Sequence, residues 1–128
     1  MVKRFILTLA VASLAAIVLA SSPMAATKGD PAKGKEKFEL MCASCHGPQG
    51  KGDGPAGAAL NPKPRNLTDA AYMSTLDDEH LVKVIKEGGA AVGKSPLMPP
   101  LGGALSDEDV HNIVAFIRAE LCKCQFKK

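Results

Sequence analysis

The sequence predicts an all-α domain, a few helices held apart by long loops rich in glycine and proline. Three observations predict it. No stretch alternates apolar and polar residues as a half-buried strand would. Two segments carry apolar residues at helical spacing, Leu81-Val82-Ile85 and Val110-Ile113-Val114-Ile117-Leu121. Capping residues precede the helical stretches, and glycines and prolines interrupt the chain between them.

The domain is expected to begin after residue 26. Lys3 and Arg4 form a short positive segment, Phe5–Ala20 is an uncharged and mostly apolar run of about 16 residues, and SSPMAA supplies small residues suited to a signal peptidase. The run is short for a bilayer span of roughly 20 residues. Residues 1–26 are therefore expected to be a cleaved signal peptide and 27–128 a single domain. The alternative is an uncleaved membrane anchor, extended by Ser21 to Ala26. Lys3 and Arg4 leave with the signal while all 13 acidic residues remain, so the formal charge of +3 falls to +1. With no run of Lys and Arg left, nucleic acid is not an expected partner. The domain holds three phenylalanines, one tyrosine and no tryptophan. That apolar payload is small for its size, and a large bound cofactor would fill the core.

Asp30-Pro31 starts the first helix, an N-cap oxygen followed by proline at the first helical position. This helix is expected to reach Met41, and Gly34 within it suggests a close neighbour on that face. Gly47 to Arg65 reads as a loop long enough to wrap something. Thr68 to Met73 forms a short helix, and a longer one follows, with Thr75 as its expected cap and Gly88-Gly89 as its stop. AAVGKSPLMPPLGG is irregular. Ser106 to Asp109 resembles a capping box opening a last helix of about four turns, and the final QFKK is expected to fray.

Cys42-Ala43-Ser44-Cys45-His46 is the stretch that carries chemistry. Zinc needs four ligands, and Cys122 and Cys124 have the wrong spacing to complete a set. A thioredoxin-like dithiol would sit near a βαβ pattern, and no strand is visible. Covalent haem fits: Cys42 and Cys45 can form thioethers along one porphyrin edge, and His46 is then carried under the iron as proximal ligand. Export agrees, since the attachment is made outside the cytoplasm. The opposite axial position calls for a second group. Met98, in SPLMPP, is the best candidate, because its flanking prolines stiffen the backbone; Met73 is a rival that reads more easily as core.

With these residues in view, the chain resembles the class I cytochromes c, the small bacterial proteins with a single haem. The resemblance rests on AKGKEKFELMCASCHGPQGKGDGPAG, NPKPRNLTD and LMPPLGGALSDEDVHNIVAFIR in that order, and it covers about residues 28–121. It implies the family fold, three to five helices wrapped around one covalent haem c. The first and last helices would cross beside the haem, Gly34 permitting the approach and Phe38 and Phe116 packing at it. It also places the prolines of Ala59 to Arg65 on the proximal side, where a backbone carbonyl accepts from the ligand histidine; Pro55, Pro62 and Pro64 are the candidates for that carbonyl. Arg65 would pair with a haem propionate.

The cofactor-binding residues expected on this reading are Cys42, Cys45, His46, Met98 and Arg65, with His46 and Met98 on the iron. His80 and His111 are expected on the solvated surface. Lys33, Lys37, Lys51, Lys63 and Lys94 are candidates to ring the haem edge for docking. Cys122-Lys123-Cys124 lacks a following histidine and is not a second haem site; an intermolecular bridge, an intrachain bond and two free thiols all remain open. The expected function is a periplasmic electron carrier of a respiratory chain, cycling Fe(II) and Fe(III) and passing electrons to transient redox partner proteins, and not an enzyme. The alternatives are an open-iron, peroxidase-like or gas-sensing protein, and a haem subunit of a membrane respiratory complex.

Overall fold

The computed structural model describes residues 29–128, so the expected signal segment lies outside the described residues. Five α-helices follow in order, α1 (Pro31–Met41), α2 (Ala43–His46), α3 (Ala70–Met73), α4 (Asp78–Glu87) and α5 (Asp107–Phe116). A 3₁₀ turn, Gly89–Val92, follows α4, and a π-turn, Ile117–Leu121, extends α5. Among the described residues there is no strand, and no helix is long and apolar enough to cross a membrane.

Helix α1 starts where its cap predicts. The Asp30 carboxylate accepts from the amides of Ala32 and Lys33, two donors that the first helical turn leaves without intrahelical partners. The Asp30 amide in turn donates to Asn112 Oδ1 at 2.7 Å, which pins the start of α1 to α5. The two helices meet at Gly34, where a Cβ would overlap the Asn112 carbonyl. Glycine is required there by proximity. Beside it the rings of Phe38 and Phe116 pack at 5.3 Å between centroids, tilted by 55°. Such a pair adds about 0.5–1.5 kcal/mol to the burial of its surface. Val110, Ile113 and Val114 of α5 are also buried.

Helix α4 departs from expectation at its start. Its cap is Asp77, whose carboxylate accepts from the His80 amide at 2.7 Å. Thr75 instead donates its hydroxyl to the Tyr72 carbonyl at 2.7 Å and so closes α3. Gly88, with φ of +83°, ends α4. The Ser106 and Asp109 capping box is present at α5, each side chain accepting from the other's amide at 3.1 Å.

The end of the last helix also differs. The final turn is a π-turn closed by Cys122 N–H to Ile117 O at 2.9 Å, an opening that apolar spacing alone does not register. It carries Arg118 into the interior. The tail beyond it does not fray at its backbone: the Lys127 amide donates to the Ser74 carbonyl at 2.8 Å.

Candidate haem-binding site

Helix α2 is little more than the motif itself. Cys42 is the cap between α1 and α2, and its carbonyl accepts from the His46 amide at 2.9 Å. The glycine-rich loop then folds back over this turn. Gly52 N–H reaches His46 O at 2.7 Å, Gly54 N–H reaches Cys45 O at 3.1 Å and Ala56 N–H reaches Ser44 O at 2.9 Å. Gly52, at φ of +79°, lies where a Cβ would overlap the Pro64 carbonyl. The loop thus closes on the motif through backbone bonds, and its glycines allow the approach.

These elements surround a cavity of about 400 Å³. Cys42, Cys45 and His46 line it from one segment, Pro62 to Leu67 from a second, and Met98 with Leu97 and Pro99 from a third. Leu81, Val84 and Ile85 of α4 and Ile113 and Ile117 at the end of α5 complete an apolar lining. The shortage of aromatic residues that called for a core-filling group therefore has a spatial counterpart. Of the expected site residues, Cys42, Cys45, His46, Arg65 and Met98 all face this one space.

The histidine is oriented for ligation. Its Nδ1 lies 3.0 Å from the Arg65 carbonyl, which can only accept, so Nδ1 carries the proton and Nε2 keeps its lone pair. The accepting carbonyl is that of Arg65, and not one belonging to Pro55, Pro62 or Pro64. Burial lowers the His46 pKa, opposed by the bond to Arg65, which favours the neutral imidazole. Cys42 and Cys45 are unbonded to each other. Burial, with the neighbouring Cys45 adding to it, pushes the Cys42 thiol up to about 11. Among the described residues no three His, Cys, Asp or Glu gather as a metal site. The donor set and the apolar lining fit a haem.

The segment bearing Met98 is pinned to the end of α4. Gly89 N–H donates to Met98 O at 3.0 Å, and Leu101 and Gly102 donate to the carbonyls of Ile85 and Lys86 at 2.9 and 3.0 Å. Those carbonyls are among the last of a helix and lack intrahelical donors, so the loop satisfies them. Met73 is fully buried, as its reading as core anticipates, and it also lines the cavity.

Several side chains lie elsewhere than expected. His80 is half-buried and lines the cavity; four residues before Val84, it shares that residue's side of α4. His111 is half-buried in the first turn of α5 and lies outside the cavity. Of the five lysines expected to ring the edge, only Lys63 and Lys94 line the cavity. Lys33 and Lys37 face the acidic start of α5 instead and pair with Glu108 at 3.3 Å and Asp109 at 3.2 Å. The Arg65 guanidinium lies 4.0 Å from the centroid of the Tyr72 ring, a cation–π contact. Arg118 lies four residues after Val114, in register with the apolar stripe, the one sequence signal that marks it for the interior. It is 1% exposed. Its Nε donates to Asp78 at 2.8 Å, and its terminal nitrogens donate to the carbonyls of Met73 and Leu76.

Comparison with known proteins agrees with this geometry. Residues 29–117 match the family described as cytochrome c oxidase, cbb3-type, subunit III. The chain is 34% identical over 91 residues to cytochrome c-554(547) of Halothiobacillus neapolitanus, covering 70% of this chain and 94% of that protein. It is 36% identical over 84 residues to the cbb3-type cytochrome c oxidase subunit CcoP of Rubrivivax gelatinosus, covering 66% of this chain but 24% of that subunit. Among solved structures, the KustC0563 c-type cytochrome superposes with a TM-score of 0.54 at 26% identity, over 67% of this chain and 94% of its own. The chain belongs to the class I c-type cytochromes, as a small electron-carrier cytochrome with one covalently bound haem c.

Proposed function

We propose that this cytochrome is an exported, periplasmic carrier of a respiratory chain, with Cys42 and Cys45 as its thioether anchors and His46 and Met98 as its axial ligands. One observation carries the reading. Two unpaired cysteines, a histidine with Nε2 available and a proline-flanked methionine about fifty residues downstream converge on a single apolar cavity.

The bound haem supplies a one-electron Fe(II)/Fe(III) couple, which a thioether ligand biases toward the reduced state. The protein's part is to hold its donors still. The Arg65 carbonyl fixes the His46 ring, and the bond from Gly89 with the rigid Pro99-Pro100 pair fixes Met98. The Arg65 guanidinium, stacked on Tyr72, is a ready partner for a propionate. With His46 and Met98 both holding the iron, no position would be left for a substrate, which favours electron transfer over catalysis. Lys63, Lys94 and Leu97, the last 46% exposed, form a rim suited to brief docking of redox partner proteins.

The test is the far-red sulfur-to-iron charge-transfer band of the oxidised protein. It is expected in the wild type and in Met73→Ala, and lost in Met98→Ala. A wild type without the band, or a Met98→Ala spectrum unchanged from wild type, overturns the assignment and favours an open iron. A second reading, a haem module of a cbb3-type oxidase, is favoured by the matching family model. Retention in washed membranes would select it; release in soluble form with an N-terminus at residue 27 would select the periplasmic carrier.

A further inference from the structure

Cys122 and Cys124 are bonded to each other, with their Cα atoms 5.1 Å apart. A bridge across one intervening residue closes so short a loop that it removes little freedom from the unfolded chain. Stabilisation is therefore a weak reason for its presence. Its surroundings suggest another. Cys122 is buried while Cys124 is partly accessible. Arg118 Nη1 donates to Cys124 Sγ at 3.7 Å and, through the same nitrogen, to the Met73 carbonyl at 2.8 Å. Its other terminal nitrogen donates to Leu76 O. Met73 and Leu76 both line the cavity, so one buried guanidinium spans the sulfur pair and the cavity wall.

We propose that Cys122–Cys124 is a thiol–disulfide exchange site for a dithiol reductant, small or borne on a protein, and that its state is transmitted to the haem cavity through Arg118. A thiolate of the reductant attacks the accessible Cys124 Sγ, the Cys122–Cys124 bond breaks, and Cys122 departs and takes up a proton. The released thiol finds acceptors already in place, the carbonyls of Arg118 at 3.9 Å and of Cys124 at 3.7 Å. The reductant's second thiol then attacks its own sulfur in the mixed disulfide and expels Cys124, whose developing negative charge faces the Arg118 guanidinium. Two electrons and two protons pass to the cysteine pair, and the reductant leaves as a disulfide. The change is local but reaches far. The Cys124 amide is bonded to Arg118 O at 3.1 Å, and the tail beyond it is tied to Ser74, next to Met73. Opening the ring frees this connection and shifts the wall held by Arg118.

The inference rests on the haem reading for its readout, and the thiol count separates the two. In the holoprotein Cys42 and Cys45 are thioethers, leaving Cys122 and Cys124 as the remaining cysteines of four. The native holoprotein is treated with dithiothreitol, alkylated with iodoacetamide and weighed, and the haem midpoint potential is titrated beside that of a Cys122→Ser/Cys124→Ser variant. Expected are no alkyl groups before dithiothreitol, two after it at residues 122 and 124, and a midpoint shifted in the same direction in the alkylated protein and the double variant. Alkylation without reductant, alkylation only after unfolding, a coincident midpoint, or a shift confined to the alkylated form each overturns the proposal. Four alkyl groups on the reduced, unfolded chain would mark failure of the haem reading instead.

Discussion

The crossing of α1 and α5 and the haem cavity are built on opposite plans. At the crossing two regular helices meet directly: Gly34 lies against the Asn112 backbone, Phe38 packs on Phe116, and caps at Asp30 and Ser106 close the helix starts. Nothing need be added for it to pack. The cavity is bounded by short turns and loops from distant parts of the described chain, closed by faces of α4 and α5, and its lining leaves about 400 Å³ between them. The first region is stable by its own contacts, and the second becomes a core only when a group fills it. Damage to the crossing should therefore appear in stability, and damage to the cavity in the cofactor and its spectrum.

The largest effect is expected from Cys42→Ala/Cys45→Ala. Without covalent attachment the cavity loses its filling, and at about 24 cal/mol per Å³ the upper bound of the cost is on the order of 10 kcal/mol, comparable to a domain's whole stability. The variant should carry no covalent haem in a denaturing gel and show a large loss of helical circular dichroism. A fully helical, cooperatively melting apoprotein would erase the contrast between the regions.

Phe116→Ala should cost about 3–5 kcal/mol in urea unfolding, while the far-red band of the folded holoprotein stays in place, because Phe116 packs at the crossing and does not line the cavity. Loss of the band without loss of stability would mean that the crossing serves the ligands rather than the scaffold. Arg118→Ala is expected to cost less, about 1–3 kcal/mol, because it leaves the Met73 and Leu76 carbonyls without their donors, while the half-exposed Asp78 stays solvated. Two of its partners, Met73 and Leu76, line the cavity, so the change should alter stability and spectrum together.

A smaller change is expected from Ser106→Ala, which removes one arm of the capping box and should cost about 1 kcal/mol. The smallest is a pH effect at the same helix start. Lys86 holds the Asp107 carboxyl below its ordinary 3.8, and the hydroxyl and amide of Ser106 do the same for Asp109. Their pKa values are depressed in the folded state, so their contribution is present above pH 3.8 and is lost as pH falls below it. The urea midpoint of the wild type should drop through that window, and Asp107→Asn should flatten the drop. An equal drop in the variant would take the acid sensitivity away from Asp107 and leave it to Asp109 or to groups outside this helix start.

Local chemistry made much of this legible before folding. The Asp30 and Ser106 caps, the Gly88 stop, the apolar stripe of α5 and the Cys42-Cys45-His46 spacing each depend on residues within a few positions of one another. The cavity itself was anticipated only indirectly, through a shortage of aromatic residues. Thr75 and Asp77 show where local reasoning stops: both are competent caps, and the choice followed from which helix end had an acceptor for the Thr75 hydroxyl.

By itself the sequence determined an all-α chain, the positions of most helices and the residues able to anchor a haem, because capping, periodicity and motif spacing act over one or two turns. Tertiary structure alone decided that the Arg65 carbonyl orients His46, that His80 faces the cavity while Lys33 and Lys37 turn to α5, and that Arg118 is buried between the Cys122–Cys124 pair and the cavity wall. Each of these is a meeting of groups far apart in the chain. Only packing determines which distant carbonyl or carboxylate comes within reach of a given donor.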